Sequence, residues 1–162
     1  MIVVGIDPGV TGAIACVDSH GTCAVEDLPV IEMGGAGRTQ RKLCGRGLAE
    51  LVRRFVPAGE GCMVVLEDVH AMPAGKSGGA ANTSLLHSKG VIEGVLGVLR
   101  MPPQLVNSQR WKGFYGLGSD KTLALEKART LYPGAQTRLA RQKDHNRAES
   151  ILIAHFGLRK LA

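Results

Sequence analysis

The chain alternates short β-branched apolar runs with polar turns, and the first such run is Ile2-Val-Val-Gly-Ile6, closed by Asp7-Pro8-Gly9. A run of that length bounded by turn residues predicts a strand followed by a turn. Thr11 to Asp18 predicts a second strand, Ser19-His20-Gly21 a tight turn, and Thr22 to Val25 the start of a third strand, so the chain opens on an antiparallel meander. The stretch from Ile31 to Arg41 is Gly-rich and polar and reads as a loop. Leu43, Leu48, Leu51, Val52 and Phe55 recur at helical spacing with basic residues between them, which predicts an amphipathic helix ended by Pro57-Ala-Gly-Glu-Gly61. Cys62-Met-Val-Val-Leu66 is apolar on both faces and predicts a central strand, ended by Glu67-Asp68.

The second half is mostly helical. Residues 71–81 are rich in Gly, Pro, Ala and Ser and predict a loop, and Ser84 to Leu99 is a long, mostly apolar helix suited to central packing or a subunit interface. Pro103 to Val106 predicts a short strand and Ser108 to Tyr115 a helical turn around Trp111. Ser119 to Leu131 predicts a helix with Ser119 as its cap and Pro133-Gly134 as its stop, and a last helix runs from Asp144 to His155. The order βββ-α-β-α-β-α-α implies an α/β fold with a mixed sheet and helices packed on it, and 162 residues suit a single domain, 1–162, with a core that needs no disulfide.

Composition narrows the class. Aromatic residues are only 4%, so the core must be built from Val, Leu, Ile and Ala. The net charge of +6 points to a polyanionic partner. None of Cys16, Cys23, Cys44 and Cys62 makes a C-x-x-C pair, which argues against a zinc site and for small reduced hydrophobes in a cytoplasmic setting. Strand structure starts at once, without a basic leader, and no apolar run nears the roughly 18 residues that span a bilayer, so a soluble protein with no membrane partner is expected.

The candidate chemistry is acidic. Asp7 ends the first strand and Glu67 the fourth; adjacent parallel strands would bring these two ends together. An acid at such an edge is costly unless paired or bound to a metal. On the last helix His145 and Glu149 are four residues apart and share a face, Asn146 nearly does, and Asp144 would need to reach back from the helix mouth. Oxygen ligands gathered from two strand ends and a helix suit hard cations such as Mg²⁺, and two such ions support in-line phosphodiester hydrolysis. Each acid taken alone also has an ordinary role: Asp7 as a turn residue, Glu67 as a surface acid, Asp144 as a helix-terminus acid. The joint pattern is what carries weight.

Four blocks in order carry a family resemblance that spans essentially the whole chain. Gly5-Ile-Asp-Pro-Gly9 with Thr11-Gly12-Ala-Ile-Ala resembles the opening of RuvC-type Holliday-junction resolvases. Val64-Val-Leu-Glu-Asp68 resembles their second acidic strand, and Asn146-Arg-Ala-Glu-Ser-Ile-Leu-Ile-Ala154 their final catalytic helix. Pro103, Trp111-Lys112, Asp120-Lys121 through Ala128-Arg129, and Tyr132-Pro133-Gly134 are similar to the phage and chloroplast branch.

The resemblance implies a ribonuclease H-like mixed five-stranded sheet flanked by helices, a homodimer, two Mg²⁺ (or Mn²⁺) ions per site, and symmetric nicking of four-way DNA junctions. It places Asp7, Glu67 and Glu149 as acids, with Glu149 standing where Asp is commoner. It leaves the third ligand between His145, favoured on helix geometry, and Asp144. It also puts Lys121 near the active site, where its charge would stabilise the transferring phosphate. DNA contacts are expected from Arg38, Arg41 and Lys42, from Lys112, Lys121 and Arg147, and from the loop after Glu67 with Lys76 and an apolar wedge, Met72. Further basic groups lie at Arg46, at Lys127 and Arg129, and at Arg138, Arg141 and Lys143. An actin-like or sugar-kinase-like ATPase also ends its first strand in Gly-x-Asp, but it needs a second domain and a second phosphate loop. A junction-binding protein with weak or no catalysis, and a related ribonuclease H-like nuclease on another nucleic acid, remain open at this point.

Overall fold

A computed structural model describes residues 1–35, 38–70, 79–118 and 120–162. Its centre is a five-stranded sheet in the order β3-β2-β1-β6-β7, built from β1 (Ile2–Asp7), β2 (Ala13–Asp18), β3 (Cys23–Asp27), β6 (Cys62–Glu67) and β7 (Gln104–Val106). The first three strands are antiparallel, and β6 and β7 join them in parallel, so the sheet is mixed as expected. Helices α1 (Gly45–Phe55) and α2 (Gly79–Val98) cover one face. Helices α3 (Ser108–Tyr115), α4 (Lys121–Leu131) and α5 (His145–Lys160) cover the other, with short 3-10 turns at Pro133–Leu139 and Gln142–Asp144 leading into α5.

The apolar runs are continuous because the central strands are buried on both faces. Successive side chains alternate, so Val4, Ile6, Val64 and Leu66 pack under α1 and α2 while Val3 and Val65 pack under α5. Asp7 and Glu67 share the parity of Val3 and Val65 and therefore stand on the α5 side. Helix α5 lies very close to β1: a Cβ on Gly5 would sit 2.3 Å from the Ala154 nitrogen and 2.4 Å from the Ser150 oxygen. Gly157 repeats the device one level down, against Val65 and Val3. Among the described residues no helix is long and apolar enough to cross a membrane.

The stretch read as a loop, from Ile31 to Arg41, is instead a second, two-stranded sheet, β4 (Val30–Gly35) with β5 (Arg38–Leu43). Gly and polar residues concealed a ribbon that lies off the main sheet, where no hydrophobic alternation is required. The proposed cap Ser119 lies outside the described residues, and Asp120 caps α4, its Oδ1 accepting from the Thr122 N–H at 2.8 Å. The last helix starts at His145 and runs on to Lys160, past the predicted end at His155. The helix over Ser84 to Leu99 starts earlier, at Gly79.

Candidate functional site

Three carboxylates meet at the ends of β1 and β6. The parallel register sets Ile6 opposite Leu66, so Asp7 and Glu67 come level, one residue on. Glu149 stands on the first turns of α5, next to Ser150, whose backbone touches Gly5. One oxygen from each of Asp7, Glu67 and Glu149 lies within 4.8 Å of the others. Asp7 and Glu67 are buried, and the Glu149 side chain is 12% exposed.

Burial and mutual repulsion make this a strained electrostatic arrangement. Burial pushes the Asp7 carboxyl well above its ordinary range, and the charges of Glu149 and Glu67 push it further. Glu67 is raised to about 7, by burial first and then by Glu149. Lys112 opposes both shifts, and Lys121 opposes that of Asp7. The Lys112 Nζ lies 3.0 Å from Glu149 Oε1 and 5.0 Å from the ring centre of Trp111, a fully buried core residue. A buried all-oxygen set of like charges, short of cations, fits a hard divalent ion that neutralises it, and Asp7, Glu67 and Glu149 are the residues that would hold one.

The other ligand candidates are not in this group. Asp144 is buried, but its oxygens are spent on Arg141, which reaches it through Nη2 at 2.8 Å and Nε at 3.2 Å and through its backbone N–H at 2.8 Å, with Arg147 3.5 Å away. The hydrogen bonds from Arg141 hold the Asp144 carboxyl below its ordinary range. It lies five residues before Glu149 and is not in the three-carboxylate group. His145 lies at the start of α5, its Nε2 3.0 Å from Lys121 Nζ and its Nδ1 3.3 Å from the Gln142 oxygen, outside the three-carboxylate group. Asn146 donates from Nδ2 to the Thr11 oxygen at 2.6 Å and ties α5 to the turn after β1.

Of the basic residues expected at DNA, Lys112 and Lys121 flank the carboxylates, and Lys121 is exposed. Arg147 does not present a free cation. Its guanidinium donates to both oxygens of Asp27, at 2.7 and 2.5 Å, and to the Arg138 oxygen at 3.1 Å, and its side chain is 13% exposed. It clasps α5 to the end of β3. Arg138 likewise pairs with Glu26 and the Val25 oxygen. Arg41 and Lys42 stand on the ribbon, as does the backbone of Arg38. Met72 and Lys76 lie outside the described residues.

Sequence reasoning missed the Asp27–Arg147 clasp and the pairing of Lys89 with Asp68, at 2.5 Å, which fixes the residue after Glu67 to α2. The partners of each pair are far apart in sequence, and although Arg147 and Asp68 lie in the matched blocks, Asp27 and Lys89 do not. Helical or strand spacing carries no signal of them.

Comparison with known proteins comes down on the same architecture. No family model matches the chain. The chloroplastic Holliday junction resolvase MOC1 of Chlamydomonas reinhardtii is 38% identical over 117 residues, 68% of this chain. That stretch is 13% of the length of the relative, so the chain spans a small part of it. Among solved structures, RuvC of T. thermophilus in complex with a Holliday junction substrate matches with a TM-score of 0.62 at 14% identity, covering 95% of this chain and 90% of that one. The fowlpox virus Holliday junction resolvase matches with a TM-score of 0.51 at 16% identity, covering 100% of both chains.

Proposed function

From a chain with the RuvC-type, ribonuclease H-like fold, we propose a divalent-metal-dependent endonuclease that resolves four-way DNA junctions by paired, symmetric phosphodiester hydrolysis. The observation that carries the reading is the buried group of Asp7, Glu67 and Glu149 at the strand ends of this fold. The 38% identity to a chloroplastic resolvase supports the substrate class. Mg²⁺ or Mn²⁺, two ions per site in this reading, supplies Lewis-acid activation of the phosphodiester and of the attacking water when bound.

The chain's own part is positional and electrostatic. Asp7, Glu67 and Glu149 would hold the ions, from two strand ends and a helix pinned to them by backbone contact. His145 is the further ligand candidate, its Nε2 3.0 Å from Lys121 Nζ. Lys112 keeps Glu149 oriented and offsets the charge of the group, and exposed Lys121 sits where it can offset charge building on the phosphate. Two-fold symmetric nicks require two such sites, so the active form in this reading is a homodimer. Its apolar surface is offered by α2, where Leu86 and Val98 are exposed.

The test is incubation with a labelled four-way junction, an arm-matched duplex and an RNA–DNA hybrid, each with Mg²⁺, Mn²⁺ or chelator. Paired nicks confined to the junction are expected, falling by about three orders of magnitude in Asp7→Asn. Junction binding without cleavage in any metal would refute the nuclease reading, and cleavage of the hybrid in preference would replace the substrate.

A further inference from the structure

Glu149 is steered by a neighbour, since Lys112 Nζ lies 3.0 Å from its Oε1. Glu67 is not: among the described residues its carboxylate makes no hydrogen bond and no ion pair. A buried carboxylate without a strut stands where its backbone puts it. The position of the β6 end therefore decides where the Glu67 oxygens meet those of Asp7 and Glu149.

That end is fixed from the face of the sheet opposite α5. Side chains alternate along a strand, so Glu67 turns to α5 and Asp68 to α2. The Asp68 N–H donates to the Val106 oxygen at 2.8 Å and closes the β6–β7 ladder. The Asp68 Oδ1 accepts from the Lys89 ammonium of α2 at 2.5 Å, and the same ammonium reaches the Val69 oxygen at 3.4 Å. Lys89 is only 16% exposed and Asp68 23%, which sets the pair apart from solvated surface pairs that contribute little. The other ion contacts are looser: Glu93 Oε1 lies 4.0 Å from Lys89, and the exposed His70 lies 3.2 Å from Asp68 Oδ2. Helix α2 also backs β1, because a Cβ on Gly9, two residues past Asp7, would lie 3.6 Å from Leu85 Cδ1. One helix thus braces, from behind, the ends of both acid-bearing strands.

We infer that Lys89 and Asp68 are positioning residues for the acidic site: their pair locks the end of β6 to α2 and sets the Glu67 carboxylate at the spacing from Asp7 and Glu149 that a divalent ion needs. The inference rests on the metal-dependent reading proposed above and adds a pair that acts through Glu67. Glu67 is buried beside two like charges that push it away. A strand end freed from α2 yields to that push, and the three oxygens spread. Loss of the groups that orient a metal ligand typically weakens metal affinity or activity by about 10- to 100-fold.

The experiment titrates the full chain with Mn²⁺ in the absence of DNA, followed by electron paramagnetic resonance. It compares wild type, Asp68→Asn, Lys89→Met, the double variant and Lys89→Arg. Asp68→Asn keeps the shape and one acceptor, so it guards against a Lys89→Met chain that fails to fold. Each of these two single variants is expected to raise the Mn²⁺ Kd by about tenfold. The double variant should raise it no further than either single one, because the two residues act as a unit. Lys89→Arg keeps a cation on Asp68 and should stay within about threefold of wild type. The Mn²⁺ concentration for half-maximal junction cleavage should rise with the Kd, while junction affinity in chelator and circular dichroism stay as in wild type. Unchanged Mn²⁺ affinity in both single variants, additive losses in the double variant, or an equal loss in Lys89→Arg would overturn the inference. So would a loss of junction affinity with Mn²⁺ affinity intact, which would make Lys89 a DNA contact. A loss seen only with a change of oligomeric state in light scattering would make it a contact between copies instead. A wild-type chain that binds Mn²⁺ with these ratios yet never cuts leaves the pair standing and removes the nuclease reading. A wild-type chain that binds no Mn²⁺ removes both.

Discussion

Glu67 is the residue whose titration reports most directly on the site. Its folded value is raised from 4.5 to about 7, so the metal-free folded protein keeps a proton that the unfolded chain has lost. Stability from this group is therefore fully present below about pH 4.5 and is lost as pH rises through about 7. Glu67→Gln should be more stable than the wild type by about 1–3 kcal/mol at pH 8 in chelator, with the difference gone at pH 4. Urea unfolding of both proteins across that range checks it, and parallel curves at every pH would refute the strained carboxylate pair. The same residues show what was legible in the chain. Asp7 and Glu67 follow from strands that end in acids, and Glu149 from its helical face. The pairing of Asp144 with Arg141 was not legible, because a carboxylate's destination depends on which cations fold beside it, and neither Arg141 nor Arg147 advertises its partner in sequence.

At the scale of the element, α5 is what assembles the site. It carries Glu149, and its distance from β1 is set by backbone against backbone at Gly5. Gly5→Ala must push α5 outward, because the added carbon meets Ala154 and Ser150 backbone at 2.3 and 2.4 Å. A destabilisation of about 2–3 kcal/mol is expected, together with a loss of cleavage much larger than the loss of folded protein, read as specific activity against circular dichroism. Gly116→Ala is the useful contrast: it is strained by a φ of 67° but far from any packing neighbour, so it should lower stability and leave specific activity intact. Most elements were legible from periodicity, because β1, β6 and α5 are buried and burial writes itself as apolar runs. The β4–β5 ribbon was not, because an element exposed on both faces is free of that constraint, and its glycines and polar residues imitate a loop.

For the molecule as a whole, charge is distributed by end. Carboxylates crowd the ends of β1 and β6, opposed by Lys112 and Lys121, while Arg53 and Arg100 lie at the other end of the sheet. A divalent ion relieves that crowding and so should stabilise the fold: Mg²⁺ or Mn²⁺ at about a hundred times its Kd is expected to raise Tm by about 5–10 °C. The gain should be larger at pH 8 than at pH 5.5, since protons compete for the same oxygens. Differential scanning calorimetry at the two pH values checks it, and a metal effect that persists in Asp7→Asn/Glu67→Gln would place the ion elsewhere.

The contact between Gly5 and the backbone of α5 also bears on how this fold drifts. A side chain at position 5 has nowhere to go, so the position has an alphabet of one letter for as long as the helix must sit where it does. Gly90, Gly94 and Gly97 on α2 have open space around them and carry no such restriction within the chain. Two glycines that look alike in a sequence thus have different histories ahead of them: one is held by the chemistry it brings together, and the other by nothing inside its own chain.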